Sequence, residues 1–403
     1  MLTKLQRAAT PLAIAQTVTW ASLYYSFPAL LPAWQGAFGW SKAELSGAFT
    51  AALMISAFAA PLIGNLIDRG YGLVVLAGGT ALGGILLMLL PEVEKIWQFY
   101  ALWMGIGLAM SAGLYDACFT VITRVIGSQA RDVITIVTLF AGFAGTLAFP
   151  TAHLLADAYG WQVALRVFSL IVLFVSVPLT VFGLTCLRPF AETSEACMRG
   201  MSKKALRQGT FWMLGIAFGA IGLAHGAILT HLLFILREGG SPAWLAVMTV
   251  SMIGPMQVLG RVAMMVAAHR IKTFGIAIGC YTFMILGMAA LLASQLNPWM
   301  ALLFVAFHGA GYGIASIVRP VVTAEFLGRQ NFGTVFGMLA IPFMMGFAIG
   351  PTAAAVTWEL AGYNTVIIGV GIVLAGGLAA ITIAHRLAAK RKIPPISSAS
   401  NKP

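Results

Sequence analysis

The chain holds 403 residues, 60% of them hydrophobic and 9% charged, with a formal net charge of +12. A soluble globular protein carries about 25% charged residues, so this chain lacks the polar surface to cover itself in water and reads as an integral membrane protein. The basic residues fall mostly in alternate short loops, which is the positive-inside pattern of a multispanning protein and not a nucleic-acid-binding stripe.

At about 20 apolar residues per span the length accommodates roughly twelve helices. Ten-residue stretches of period-2 alternation are absent, which argues against a membrane β-barrel. Lys4 and Arg7 precede the first helix, Pro11 to Trp34, and place the N-terminus in the cytoplasm. That run is too long for a signal-peptide core. The second helix, Glu44 to Ile67, returns inward to a tight turn, Gly64-Asn65-Leu66-Ile67-Asp68-Arg69-Gly70. The third spans Gly72 to Leu90, and an outer loop with Glu92, Glu94 and Lys95 follows. The fourth runs from Trp97 to Arg124 with Asp116 inside it, and Arg131 and Asp132 mark the next inner loop. The fifth covers Val133 to Ala156 and the sixth Trp161 to Leu187.

Residues 188–209 form the longest polar interval and carry Arg188, Arg199, Lys203, Lys204 and Arg207. They read as a cytoplasmic linker between an N-terminal half (1–187) and a C-terminal half (210–387). The second half repeats the plan: Thr210 to Leu236, Ala243 to Ala267, Phe274 to Ala293, Pro298 to Ala324, Gly333 to Trp358 and Tyr363 to His385. A basic tail (388–403) with Lys390, Arg391 and Lys392 places the C-terminus inside as well. The halves echo each other at an offset of about 200 residues. Ala112-Gly113, Arg124, Gly127, Arg131, Gly145 and Pro150 resemble Ala310-Gly311, Arg319, Gly328, Arg329, Gly346 and Pro351. The expected fold is all-α and membrane-embedded, with twelve transmembrane helices in two pseudo-symmetric six-helix halves.

The eighth helix carries the most informative stretch, Gly254-Pro255-Met256-Gln257-Val258-Leu259-Gly260-Arg261. A guanidinium in hydrocarbon is costly, so Arg261 faces a protein interior or a watery cavity, or it snorkels to the surface. Gln257 lies four residues earlier on the same face. Gly254 and Gly260 allow close approach of another helix, and Pro255 permits a bend beside a cavity. In the first helix Trp20 and Tyr24 are candidate cavity walls, Tyr25 stands on the adjacent face, and Trp34 fits an interfacial belt. Asp116 and Arg124, two turns apart, form either a structural pair or a proton relay. His225 and His231 in the seventh helix, His308 in the tenth and His153 in the fifth can titrate near neutral pH, and His231 is the first choice to face an outer vestibule. Arg319, followed by Pro320, marks the inner end of the tenth helix. Cys118, Cys186, Cys197 and Cys280 are scattered without paired spacing. No metal-ligand spacing, nucleophile–base pair, phosphate loop or dinucleotide fingerprint occurs, so neither a metal, a cofactor nor an enzyme is expected.

The turn Gly64-x-x-x-Asp68-Arg69-x-Tyr71-Gly72 resembles the loop between helices 2 and 3 of the major facilitator superfamily. That resemblance implies a secondary transporter, with Gly64, Asp68 and Arg69 holding the halves together on the cytoplasmic side and Arg124 and Arg131 in supporting gating or structural roles. A closer likeness is to the monocarboxylate transporter branch, including oxalate/formate-type carriers. It rests on Phe38-Gly39-Trp40-Ser41, on Phe119 through Arg124 and on Gly254 through Arg261. In that branch the eighth helix ends its pattern in an arginine for the substrate carboxylate, four residues after a proton-handling aspartate. Arg261 matches the arginine, but Gln257 stands at the aspartate position. Ala29, beside Pro28, stands where a lysine is often found. The fifth-helix stretch Gly142 to Pro150 lacks the Gly-Pro-x-x-Gly-Gly element typical of drug exporters in the superfamily.

The leading expectation is a monomeric inner-membrane carrier that moves a small organic anion of the monocarboxylate type by alternating access, with or without a proton. Substrate contacts are assigned to Arg261, Gln257, Trp20, Tyr24 and Tyr25, and coupling to Asp116, His231 or His225. Uptake of a neutral aromatic vitamin such as riboflavin is the alternative, and drug efflux or a non-transporting sensor rank below it.

Overall fold

The computed structural model describes residues 4–191, 201–267 and 270–392. The middle of the linker, with Cys197 and Arg199, and the tail beyond residue 392 lie outside the described residues. Among the described residues every regular element is a helix. Nine helical stretches among the described residues are long and apolar enough to cross a membrane. Two of them, Glu44–Glu92 and Phe332–Lys390, each contain two crossings joined at a glycine of positive φ. The first helix is too polar to be counted on hydropathy, and it is the twelfth crossing. The transmembrane helices are α1 (residues 4–38), α2 (Lys42–Leu66), α3 (Gly72–Leu89), α4 (Ile96–Ile126), α5 (Ala130–Tyr159) and α6 (Trp161–Phe190) in one half. The other half holds α7 (Gly209–Glu238), α8 (Ala243–Ala267), α9 (Thr273–Ala293), α10 (Met300–Leu327), α11 (residues 332–361) and α12 (residues 363–392).

Most of these helices are apolar all round, as lipid requires. The turns are set by a few residues. Gly39 (φ 68°) ends α1, and Ser41 then caps α2. Its hydroxyl accepts from the Glu44 amide, and the Glu44 carboxylate accepts from the Ser41 amide at 2.8 Å. Gly70 (φ 100°) reverses the chain between α2 and α3, and Gly362 (φ 74°) does so between α11 and α12. Both are conformations that favour glycine.

Within each half the helices meet through small residues. Gly107 of α4 lies against the Ala52 backbone of α2, and Gly79 of α3 against Ala112. The same scheme recurs with Gly260 of α8 against Ala310 of α10, and Gly311 against Cys280 and Met284 of α9. Close backbone approach through small residues is how membrane helices gain packing without a hydrophobic driving force.

The polarity of α1 is balanced inside its own half. Gln16 Nε2 donates to Gly113 O at 2.8 Å, and the Thr19 and Ser176 hydroxyls pair at 2.6 Å. Trp34 is not interfacial, as its position near the helix end suggested. It is fully buried against Phe27, Phe99 and Trp103, because the stack of rings at this end of the N-terminal half encloses it.

A candidate solute cavity between the halves

The halves touch on the side where α1 begins and α12 ends. Asp68, at the α2–α3 turn, is 3% exposed and reaches across to the first turn of α11. Its carboxylate accepts from the Gly333 amide (2.8 Å), the Thr334 amide (2.7 Å) and the Thr334 hydroxyl (2.8 Å). A carboxylate there satisfies orphan N–H groups and sits at the positive end of the helix dipole. Gly64 lies directly against the Gly333 backbone, and Gly337 against that of Ala60; a side chain at either glycine would collide with main-chain atoms. Arg124 donates to the Asp68 carbonyl, which steadies the turn from α4. It does not pair with Asp116, the partner expected from their spacing. Arg69 is exposed and Arg131 half-buried.

Above this contact lies a cavity of about 340 Å³ with walls from both halves. Ala60 belongs to its lining, so the backbone contact with Gly337 forms part of its floor. From α1 come Trp20, Tyr24 and Tyr25. A straight α-helix would turn Tyr25 about 100° away from Tyr24. Residues Ala21–Tyr25 form a π turn instead, whose i→i+5 register brings Trp20 and Tyr25 onto one side. The ring centroids lie 5.1 Å apart for Trp20–Tyr24, 6.4 Å for Trp20–Tyr25 and 4.7 Å for Trp20–Tyr115. The N-terminal wall is therefore largely aromatic. Tyr115 belongs to it because α4 breaks at Leu114 (φ −95°, ψ −162°), which re-aims the next turn.

The C-terminal wall holds the charge. Arg261 and Gln257 of α8 both line the cavity, one turn apart. Arg261 is 6% exposed, so it does not snorkel. Its Nε donates to Gly313 O of α10 at 3.2 Å and its Nη1 to Thr138 O of α5 at 2.9 Å. Among the described residues no carboxylate lies within ion-pair distance of it. Gly142 of α5 makes room for it, since a Cβ there would stand 2.8 Å from Nη1. Gly260 makes the close helix approach expected of it, whereas Gly254 meets no neighbour within 4 Å and lies open on the cavity wall.

Arg319 was expected at the end of α10. It is instead a cavity residue, 7% exposed, with its guanidinium 3.8 Å from the Phe343 ring centroid. Helix α10 continues through Pro320 to Leu327, so the proline does not mark its end. Asp116 lines the same cavity and stands 3.8 Å from Arg319 Nη2. Of the ion pairs found among the described residues, this is the one that joins the two halves. His225 also faces the cavity, stacked on Tyr312 with ring centroids 3.3 Å apart. His231 does not line it. Its ring nitrogens approach the Tyr363 hydroxyl (3.2 Å) and Pro351 O (3.1 Å), between α7, α11 and α12. Arg319, Tyr115 and Tyr312 are among the lining residues that the sequence reading did not assign to the site.

A polar, part-aromatic chamber near the middle of a twelve-helix bundle, walled by both halves and floored by a contact between them, is the arrangement of a membrane carrier. A family model for the Major Facilitator Superfamily matches residues 12–316. The chain belongs to this superfamily, and its apolar helices are those of a multi-pass membrane protein. Two curated proteins of Pseudomonas aeruginosa, from strains LESB58 and PAO1, are each described as an uncharacterized MFS-type transporter. Each is 29% identical over 175 residues, 43% of this chain and 42% of the relative, so the match spans under half the length of those relatives. Among solved structures, the Escherichia coli fucose:proton symporter FucP is similar at 15% identity with a TM-score of 0.70, covering 96% of this chain and 99% of that one. A structure of FucP in the outward conformation gives 16% identity and 0.71 at the same coverage. At such identity the likeness concerns the fold.

Proposed function

We propose that this carrier moves a small organic anion of the monocarboxylate type, bound at Arg261, with Gln257, Trp20, Tyr24 and Tyr25 completing the site. One observation supports this reading most. Arg319 has Asp116 3.8 Å away as a counter-charge, whereas Arg261 is a buried cavity cation with no carboxylate within ion-pair distance among the described residues. A buried charge without a partner is costly in the empty protein, and an arriving carboxylate relieves that cost with charge-assisted hydrogen bonds. The aromatic wall opposite suits the organic body of the solute. The protein would work as a monomer in a bacterial inner membrane with both termini in the cytoplasm, the Asp68 contact then closing the cytoplasmic side.

The same aromatic wall favours one second reading, a neutral flat vitamin such as riboflavin, stacked on Trp20 and Tyr24 with its carbonyl groups facing Arg261 and Gln257. Uptake into proteoliposomes of labelled lactate and labelled riboflavin, each with and without an imposed proton gradient, separates the two. Lactate uptake that disappears in Arg261→Ala is the expected result. Riboflavin uptake alone overturns the anion reading.

A further inference from the structure

Two of the chain's six histidines meet in the C-terminal half. His225 Nδ1 of α7 lies 3.3 Å from His308 Nε2 of α10, with the rings nearly parallel at an interplanar angle of 11°. The residues are 4% and 1% exposed. His225 faces the cavity, while His308 stands behind it, against Phe304 and the Gly287 backbone of α9. His308 Nδ1 is buried without a hydrogen-bond partner. We propose that this pair is the proton-binding site of the carrier, taking up one proton between two imidazoles when the anion is bound. The proposal rests on the anion-carrier reading for what the proton accompanies.

The tautomers carry the argument. In the neutral pair one ring donates to the other across the 3.3 Å contact. If His225 donates, its other nitrogen, Nε2, is a bare acceptor. A proton that arrives from the cavity adds there, and the bridging hydrogen can then move to His308. The two rings thus hold one extra proton as a unit, as coupled groups do. A cation in this position is costly without a counter-charge.

The surrounding groups decide when that counter-charge appears. From α10 the pair meets Tyr312, and from α11 Phe347, which has no charge to offer. On α9 the nearby Cys280 and Tyr281 donate to Gly311 O and Ala217 O. Around the cavity stand the cations Arg261 and Arg319 and the carboxylate Asp116, already paired. Among the described residues Asp116 is the one carboxylate that lines the cavity, and it faces Arg319, whereas a carboxylate bound at Arg261 supplies the imidazolium with a counter-charge. One segment of α10 links the two sites: His308 bonds His225, Tyr312 stacks on it, and the carbonyl of Gly313 holds Arg261. Each ligand then strengthens the binding of the other, and this reciprocity is the thermodynamic requirement of symport. Other candidates carry less. Asp116 is balanced by Arg319, and His231 lies off the cavity with both nitrogens engaged.

His308 does not line the cavity, so His308→Gln separates proton coupling from solute contact. Proteoliposomes with labelled lactate are tested in two modes, equilibrium counterflow and accumulation driven by a pH step. An electroneutral one-to-one symporter accumulates about tenfold per pH unit. His308→Gln is expected to keep counterflow and to lose the accumulation, falling to about onefold. Full accumulation by His308→Gln, or its loss in Asp116→Asn with His308→Gln unaffected, overturns the proposal. Imidazole 15N spectra of the wild type, assigned with His225→Gln and His308→Gln, supply a second readout free of solute choice. They are expected to show an inter-ring hydrogen bond and joint uptake of one proton on acidification. Two rings that titrate separately overturn the pair. If the wild type moves neither lactate nor riboflavin, the solute reading fails while the spectra still decide the proton site.

Discussion

Arg261 and Arg319 sit in the same cavity, on helices of the same half, and both are nearly inaccessible. Their surroundings differ. Arg319 has Asp116 across the half boundary and Phe343 beneath its guanidinium. Arg261 has only neutral carbonyls, Gly313 O and Thr138 O. A cation with a counter-ion is part of the architecture, and a cation without one is available to a ligand. The contrast predicts that the Asp116–Arg319 pair matters more for stability and Arg261 more for transport.

The comparison breaks most visibly through Asp116. Asp116→Asn removes the counter-charge of the buried Arg319. Breaking a fully buried pair costs about 3–5 kcal/mol, and the cost here is smaller because the carboxylate is 23% exposed and 3.8 Å away. A fall in the melting temperature of the purified protein in detergent is expected. An unchanged melting temperature would mean that Arg319 is as free as Arg261. Arg261→Met, in contrast, removes a charge that has no partner. Its melting temperature should hold or rise, while lactate uptake falls by an amount corresponding to about 2–5 kcal/mol of lost binding. Smaller effects come from the contact below the cavity. Asp68→Asn takes a charge from the N-terminus of α11, worth about 0.3–2 kcal/mol. The terminal side should then open more often, read as faster labelling of a cysteine introduced at Ala340. The smallest effect is expected for Gly254→Ala, since no neighbour lies within 4 Å of the added methyl. Its stability should match the wild type, whereas Gly260→Ala should be destabilised by its clash with Ala310.

Much of this was legible in the chain. The twelve crossings follow from apolar length and loop charge. Arg261, Gln257, Trp20, Tyr24, Asp116 and His225 stood out as polar or aromatic groups within apolar runs, and they share one cavity. Tyr25 looked peripheral under a 3.6-residue period, and the π turn that moves it inward has no sequence signal of its own. Arg319 was hidden by Pro320, since a residue before proline is biased away from helix. The helix continues because neighbouring helices support it. Trp34 resembled an interfacial anchor, but its burial depends on the rings of Phe27, Phe99 and Trp103, from α1 and α4. His231 and His225 lie on one helix, and only the placement of α10 and α11 distinguishes a cavity histidine from a helix tie.

The floor of the cavity has a kinetic consequence. At Gly64–Gly333 and Ala60–Gly337 the two halves meet main chain to main chain, with the Thr120 methyl and the Asp68 carboxylate as the side chains that reach Gly333. Interdigitated side chains must change rotamer before two surfaces part, and each such step adds friction. Bare backbones slide or roll apart without it. The resistance to opening then lies in the polar contacts across the boundary: the three hydrogen bonds at Asp68, Asn65 Nδ2 donating to Thr334 Oγ1 at 3.4 Å, Arg261 Nη1 donating to Thr138 O, and the Asp116–Arg319 pair. Such a hinge behaves as a smooth bearing with a few polar catches, and Asp68, which makes three of those bonds, is the residue at which its rate is tuned with the least retooling of the surfaces that move.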